Sequence, residues 1–303
     1  MMNTNKTALN TIRGELLFDE PLSRYTSWRI GGPAKRFFRP EDKEDLIRFL
    51  HTLPAEEPLL WLGLGSNILV RDGGVSGTVI CTVNRLSNMA LENGLVYAEA
   101  GVPCAHVARF CSIHGLTGME FLAGIPGTMG GALAMNAGAF GSETWNWVKA
   151  VETVDRYGEL YRRKPSEYEI SYRSVNGPAN EWFLGVWLKP HPGDIQEGQR
   201  RIRELLARRN QTQPTRFPNG GSVFKNPPGD YAARLIESCG LKGKQVGGAK
   251  ISELHANFII NTGSASARDV EALIAMIREA VKRQHGIELE LEIQIIGEPG
   301  EHQ

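Results

Sequence analysis

A mixed fold of helices and strands, α/β or α+β, built around two hydrophobic cores is what the sequence predicts, on three observations. The chain has 303 residues at 41% hydrophobic content, more apolar material than one compact domain of ordinary size encloses. Short β-rich runs alternate with segments whose apolar residues recur at helical spacing. Composition then changes sharply near residues 190–193, where "KPHPGD" supplies chain breakers ahead of a heavily charged stretch. The expected division is a polar N-terminal extension over 1–20, a first domain over 21–192 and a C-terminal domain over 193–303.

The elements follow in order. Asp42 to Leu53 reads as a helix with Asp42 at the N-cap and an apolar stripe of Leu46, Ile47, Phe49, Leu50 and Leu53. From Leu59 to Gly101, "PLLWLGLG", "GTVICTV" and "LVYAEAG" read as strands separated by turns. A second helix runs from Cys104 to His114 and stops at Gly115. Gly118 to Gly141 is so rich in Gly and Ala that backbone there must approach something closely. Strand-like "WVKAVETVDRYGELY" and "EWFLGVWLKP" follow, then a charged helix from Asp194 to Asn210 with a narrow stripe of Ile195, Ile202, Leu205 and Leu206. A short helix covers Tyr231 to Cys239. The clearest helix runs from Ala267 to His285, with Ser266 at the N-cap, Asp269 three residues on and Gly286 as the stop. Last comes "IELELEIQII", whose alternation predicts a strand with Ile287, Leu289, Leu291, Ile293 and Ile295 on one face and Glu288, Glu290, Glu292 and Gln294 on the other.

Composition also excludes several function classes. Lys plus Arg number 34 and Asp plus Glu 34, so no net field holds a polyanion and nucleic acid is not an expected partner. The opening Met1 to Gly14 lacks the apolar core of a secretory signal, and no apolar run reaches bilayer length, so no membrane association is expected. The four cysteines, Cys81, Cys104, Cys111 and Cys239, form neither a C-x-x-C pair nor a zinc-spaced cluster; no metal is expected, and reduced thiols in a cytoplasmic protein are. The chain is expected to act as a monomer.

Chemistry is concentrated in a few segments. "GLGSNILVRDGG", Gly63 to Gly74, could cradle a pyrophosphate on consecutive backbone N–H groups, with Ser66 and Asn67 adding polar contacts, or it could be a tight turn between strands. It is not a dinucleotide fingerprint of the Rossmann type, because Ile68 stands where the third glycine belongs. In "GIPGTMGGALAMNAGAFG", Gly124, Gly127, Gly130 and Gly131 would let a flat or phosphate-bearing ligand lie on bare backbone beside Asn136; the alternative is a glycine-rich helix start packed on a sheet. Two such segments favour a large phosphorylated cofactor. Arg173, between Tyr172 and Ser174, is either an anion clamp or a surface ion. Gly220 and Gly221 expose Ser222, with Lys225 and Asn226 close behind, although Phe224 breaks the Gly-x-Ser-x-Gly pattern of a nucleophile elbow and an ordinary turn would look the same. Glu292 lies on the polar strand face, where a solvated carboxylate is the plain reading. "TSWRIGGPA", with Trp28, Arg29, Gly31 and Gly32, is a further candidate.

Taken in order, "TSWRIGGPA", "GLGSNILVRDGGVSGTVI", "GIPGTMGGALAMNAGAFG", "YRSV", "GGSVFKNP" and "LELEIQIIG" closely resemble the UDP-N-acetylenolpyruvoylglucosamine reductase family, flavoenzymes of bacterial peptidoglycan precursor synthesis. The resemblance runs from about Leu22 to Gly297. It implies an α+β protein with a two-subdomain FAD-binding domain of the vanillyl-alcohol-oxidase type followed by a C-terminal α+β substrate-binding domain. The stretch between Arg173 and Ser222 is short, as in family members that lack a tyrosine-bearing loop. By resemblance, FAD is held noncovalently by Gly63, Gly65, Ser66, Asn67, Ile68, Gly124, Ile125, Pro126, Gly127, Gly130, Gly131, Asn136 and Gly138. NADPH is the implied hydride donor and UDP-N-acetylglucosamine enolpyruvate the implied substrate, bound by Tyr172, Lys225 and Asn226. Arg173 and Glu292 match the residues that stabilise the enolate-like species, and Ser222 matches the proton donor. A covalent oxidase of the same fold would tether its flavin through His or Cys, and neither residue occurs in the two glycine-rich segments. A nucleotide-sugar binding module without chemistry would carry no flavin.

Overall fold

The protein, seen in a computed structural model, is described over residues 12–300, so that residues 1–11 of the expected N-terminal extension lie outside the described residues. Its helices in chain order are α1 (Lys43–Leu50), α2 (Cys104–Ile113), α3 (Met129–Ala134), α4 (Ile195–Thr212), α5 (Ala232–Ser238) and α6 (Ala267–His285). The chain forms two compact units: one from the segments ending at Leu17, Arg36–Leu64 and Gly77–Ala207, the other from Phe18–Lys35, Gly65–Ser76 and the chain from Arg208 onward. The expected contiguous division at 192/193 is therefore not the one seen. The difference has a physical cause in each direction. Residues 18–35 and 65–76 carry Trp28, Ile30 and Leu69 into the core of the second unit. Conversely, the helix expected to open the second domain packs Ile202 and Leu206 against a core of the first.

The two larger sheets draw mainly on residues of the first unit. Strands Glu15–Pro21, Pro33–Arg39, Val75–Cys81 and Leu59–Leu62 lie in that order in a four-stranded sheet, the last pair parallel. Its first strand occupies residues expected to be extension, because "ELLFDEP" supplies the β-forming side chains. Helix α1 begins as expected at Asp42, whose carboxylate accepts from the Asp45 N–H (2.8 Å), and it buries Leu46, Phe49 and Leu50 against Phe38 and Ile80. The second sheet, of five antiparallel strands, runs Leu160–Arg163, Val148–Asp155, Glu181–Leu188, Leu95–Glu99, Met89–Glu92. Helices α2 and α3 bury Val107, Cys111, Met129 and Leu133 in its core. The hairpin Glu169–Ser171/Ser174–Asn176 turns on Tyr172 and Arg173.

The second unit is built around α6. Its N-terminus carries the expected capping box between Ser266 and Asp269, and its C-terminus ends on Gly286 at φ 70°, a left-handed conformation that glycine adopts without a Cβ penalty. Val270, Leu273, Ile274, Ile277 and Val281 pack on Phe224, Leu235, Ile236 and Ile259. A small antiparallel sheet, Gln245–Val246, Ala249–Ile251 and Ile259–Asn261, lies in this unit. The long final strand is a correction. Only Gln294–Ile296 forms a strand, parallel to Ile68–Val70. Upstream, Leu289 and Ile293 are buried and Glu288 and Glu290 exposed, so the face alternation holds. Its partner there is the short irregular segment Val223–Lys225, which offers one bridge, Phe224 to Leu291, and no continuous ladder.

Candidate functional site

In the first unit the two glycine-rich segments meet. A Cβ on Gly63, just past the strand Leu59–Leu62, would lie 2.4 Å from the Thr128 Oγ1, so only glycine allows this approach. Thr128 is buried and caps α3, accepting from the Gly131 N–H at 3.4 Å. The Met129 and Gly130 N–H groups donate to the Val102 and Ala100 carbonyls, 2.9 and 2.8 Å. The amides of Gly127 and Thr128 reach no acceptor among the described residues. Gly124 lies under the Phe140 ring, which a Cβ would approach to 2.4 Å, while at Gly131 it would meet only Thr128 Oγ1, at an ordinary contact distance of 3.7 Å. Ile125 and Pro126 continue the same loop.

Arg173 sits in this unit at the hairpin turn with φ 54°. Its guanidinium donates to the carbonyls of Asn136 (3.4 Å) and Gly138 (3.0 Å), and it lies over the Tyr172 ring at 5.1 Å. Two carbonyl acceptors and an aromatic face hold a fork of donors, which suits a carboxylate or enolate partner. Tyr172, expected to contact substrate, is exposed. Asn136, expected in the cofactor wall, is only 1% exposed, and its side chain bonds to Glu143, to the Ser171 carbonyl and to the Trp145 N–H. Those bonds are internal to the protein.

In the second unit the backbone segments carrying Ser222 and Glu292 adjoin. Ser222 follows Gly220, against which the Trp28 ring packs so tightly that a Cβ would lie 2.4 Å from it, and Gly221, at φ 74°. The Gly221 N–H donates to Asn219 Oδ1, 2.9 Å. Buried Asn257 accepts from the Phe224 N–H (3.0 Å), donates to the Phe224 carbonyl (2.8 Å) and accepts from the Val223 N–H on its own carbonyl (2.9 Å). The Glu292 N–H donates to the Val223 carbonyl at 2.9 Å, which sets Glu292 beside the residue that follows Ser222. Glu292 is half-buried, whereas Glu290 is 78% exposed and pairs with Lys225 at 3.6 Å. Asn67 also reaches this place: its amide donates to the Glu292 carbonyl, 3.0 Å, and its own carbonyl accepts from the Gln294 N–H. Asn226, expected at the substrate, accepts from the Ala232 N–H (3.0 Å) at the start of α5.

The rest of the first glycine-rich segment divides by role. Gly65, at φ 59°, packs on the Tyr25 and Thr26 backbone, and the amides of Gly65, Ser66 and Asn67 reach no acceptor among the described residues. Ile68 begins the strand that pairs with Gln294–Ile296. Arg71 and Asp72 serve α6, Arg71 through Glu271 (2.8 Å) and Asp72 through the N–H groups of Ala267 and Arg268. Close-packed glycine turns that present unbonded amides fit the pyrophosphate of FAD. Of the residues expected at the cofactor, Gly63, Gly124, Ile125, Pro126, Gly127, Gly130, Gly131, Asn136 and Gly138 belong to the first unit and Gly65, Ser66, Asn67 and Ile68 to the second. Among the described residues no group of three or more His, Cys, Asp or Glu side chains could hold a metal.

Sequence reasoning passed over Thr128, Asn257 and the work of Trp28. A threonine ahead of a glycine-rich helix is a capping signal that could have found the first. Trp28 donates to the Ile259 carbonyl (2.8 Å) and shapes the Ser222 turn, so "TSWRIGGPA" acts through packing. Nothing local marks Asn257, whose partners are 33 residues away.

The family profile of the UDP-N-acetylenolpyruvoylglucosamine reductase C-terminal domain matches residues 213–296, and that of the FAD binding domain matches 34–163. A UDP-N-acetylenolpyruvoylglucosamine reductase of Methylococcus capsulatus is 59% identical over 287 residues, 94% of this chain and 94% of that protein. One from Coxiella burnetii is 51% identical over 313 residues, 97% and 99% of the two chains. The crystal structure of the corresponding reductase from Thermus caldophilus superposes with a TM-score of 0.81 at 36% identity, covering 94% of this chain and 99% of that one.

Proposed function

The chain belongs to the UDP-N-acetylenolpyruvoylglucosamine reductase family of FAD-dependent oxidoreductases, and from that membership we propose that it reduces UDP-N-acetylglucosamine enolpyruvate to UDP-N-acetylmuramate with NADPH as reductant. FAD, bound noncovalently, supplies the hydride relay between the two. Hydride arriving at the terminal alkene carbon leaves negative charge on the neighbouring carbon and its carboxylate. Arg173 answers that charge with a planar pair of donors oriented by the Asn136 and Gly138 carbonyls. Ser222 supplies the proton to the carbon. A serine hydroxyl is a weak acid, but such a carbanion is a far stronger base than water. Glu292 assists in protonated or proton-sharing form, since a bare carboxylate would repel the developing charge. Tyr172, Lys225 and Asn226 serve the rest of the substrate.

The observation that supports the reading is the main-chain hydrogen bond from Glu292 to Val223, which joins the Glu292 segment to the glycine-rich turn carrying Ser222 within one compact unit. We place the reaction in the cytoplasm, with the chain acting as a monomer. All four cysteines are free of disulfides, and no helix of the described residues is long and apolar enough to cross a membrane.

Ser222→Ala tests the proposal directly. NADPH should bleach the flavin of the variant at close to the wild-type rate, because no serine proton is needed for that half-reaction. Mixing the prereduced variant with UDP-N-acetylglucosamine enolpyruvate should then show reoxidation and product formation slowed by roughly 10²–10⁴-fold. Wild-type rates in both halves would move the proton donor elsewhere.

A further inference from the structure

Asn136 carries more than its place in a glycine-rich segment requires. It is buried, and at φ 47° it occupies the left-handed region that asparagine tolerates better than other residues bearing a Cβ. Each polar atom of its side chain is engaged. The amide nitrogen donates to Glu143 Oε2 (2.9 Å) and to the Ser171 carbonyl (3.1 Å), and the amide oxygen accepts from the Trp145 N–H (3.1 Å). Ser171 is the last strand residue before the Tyr172–Arg173 turn. The backbone carbonyl of the same asparagine accepts from Arg173 Nη1, and that of Gly138, two residues on, from Arg173 Nη2. Asn136 therefore holds the base of the hairpin with its side chain and the guanidinium at its tip with its main chain. Gly138 completes the seat: a Cβ there would lie 3.2 Å from Arg173 Nη1 and 2.7 Å from the Ser142 carbonyl.

We propose that Asn136 is a positioning residue for Arg173, setting the guanidinium where the developing negative charge of the substrate falls; this rests on the role given above to Arg173. Only an amide meets all three demands at once. Aspartate would set a carboxylate against Glu143 and lose the donor to Ser171, and alanine would leave the Ser171 carbonyl and the Trp145 N–H without their partner. Loss of the side chain should let the hairpin drift, and a displacement on the order of 1 Å in a clamp of this kind slows a reaction by up to about 10²-fold.

The test is a double-mutant cycle on the FAD-loaded enzyme, reading flavin reduction by NADPH and reoxidation by UDP-N-acetylglucosamine enolpyruvate separately, together with hydrogen exchange across residues 169–176. Asn136→Ala should slow reoxidation about 10–10²-fold, leave reduction by NADPH within about twofold, and raise exchange in the hairpin. Asn136→Gly, which relieves the left-handed strain, should bind FAD normally and show the same reoxidation defect. In an Arg173→Ala background the Asn136→Ala change should add little. Equal slowing in both backgrounds would overturn the proposal by showing that Asn136 acts on something other than Arg173. Unchanged reoxidation in Asn136→Ala, or unchanged exchange in the hairpin, would also overturn it. Wild-type reoxidation in Arg173→Ala alone would remove the role of Arg173, and the positioning role with it.

Discussion

Glu292 and Glu290 stand two residues apart on one face of an extended segment, and the surroundings separate them. Glu290 reaches into solvent toward Lys225, while Glu292 is half-buried between the Val223 carbonyl and the Asn67 amide, which hold its main chain from two sides. An exposed pair such as Lys225 with Glu290 contributes about 0–1 kcal/mol. Glu290→Gln should therefore leave turnover and stability close to wild type. Glu292→Gln, which keeps shape and removes the titrating proton, should lower the rate of flavin reoxidation by about 10-fold or more. Steady-state and rapid-mixing rates of the two variants decide the matter, and equal, negligible effects would make Glu292 a surface carboxylate like its neighbour.

At the scale of elements, the glycine-rich segment from Gly65 to Gly74, a loop on either side of the strand Ile68–Val70, does two kinds of work. Its early residues offer open amides, and its later ones secure α6, where Asp72 accepts from Ala267 N–H at 2.9 Å and Arg268 N–H at 3.2 Å. Asp72→Ala should cost about 1 kcal/mol, the usual worth of a helix N-cap. Thermal unfolding should show a drop of a few degrees in Tm, with FAD affinity unchanged; a large loss of FAD affinity would show that the whole loop serves the cofactor. The sequence announced α6 completely, because its cap, stripe and stop lie within one continuous stretch. It announced α1 and α2 nearly as well. It overstated the final strand, because alternation records which side is buried and says nothing of whether a partner ladder exists. Ser222 and Arg173 were legible as motifs, but Asn257 and Trp28 act across the chain, and local pattern has no means of showing that.

For the molecule as a whole, the glycine-rich segments contain neither His nor Cys, so the flavin has no tether there. Purified protein should be yellow, and acid precipitation should release the colour into the supernatant; colour held in the pellet would identify a covalent flavoprotein. Added FAD at a hundredfold excess over its Kd should stabilise the fold by about 2.7 kcal/mol. The thiols offer a second global probe. Cys81, Cys104 and Cys111 are buried and Cys239 half-buried, and burial pushes the Cys104 and Cys111 thiols up to about 12. A thiol reagent at neutral pH should label Cys239 first, with the other three reacting only on unfolding.

The interleaved chain path has a consequence for biosynthesis. The core of the second unit needs Trp28, Ile30 and Leu69 from early in the chain and most of its remaining side chains from beyond Arg208. On the ribosome those early segments must wait until nearly the entire polypeptide has emerged, while the first unit, complete by Ala207, is free to form ahead of it. A fragment beginning at Gly193 would lack the indole that packs on Gly220, and should emerge as an aggregation-prone half with its apolar interior uncovered.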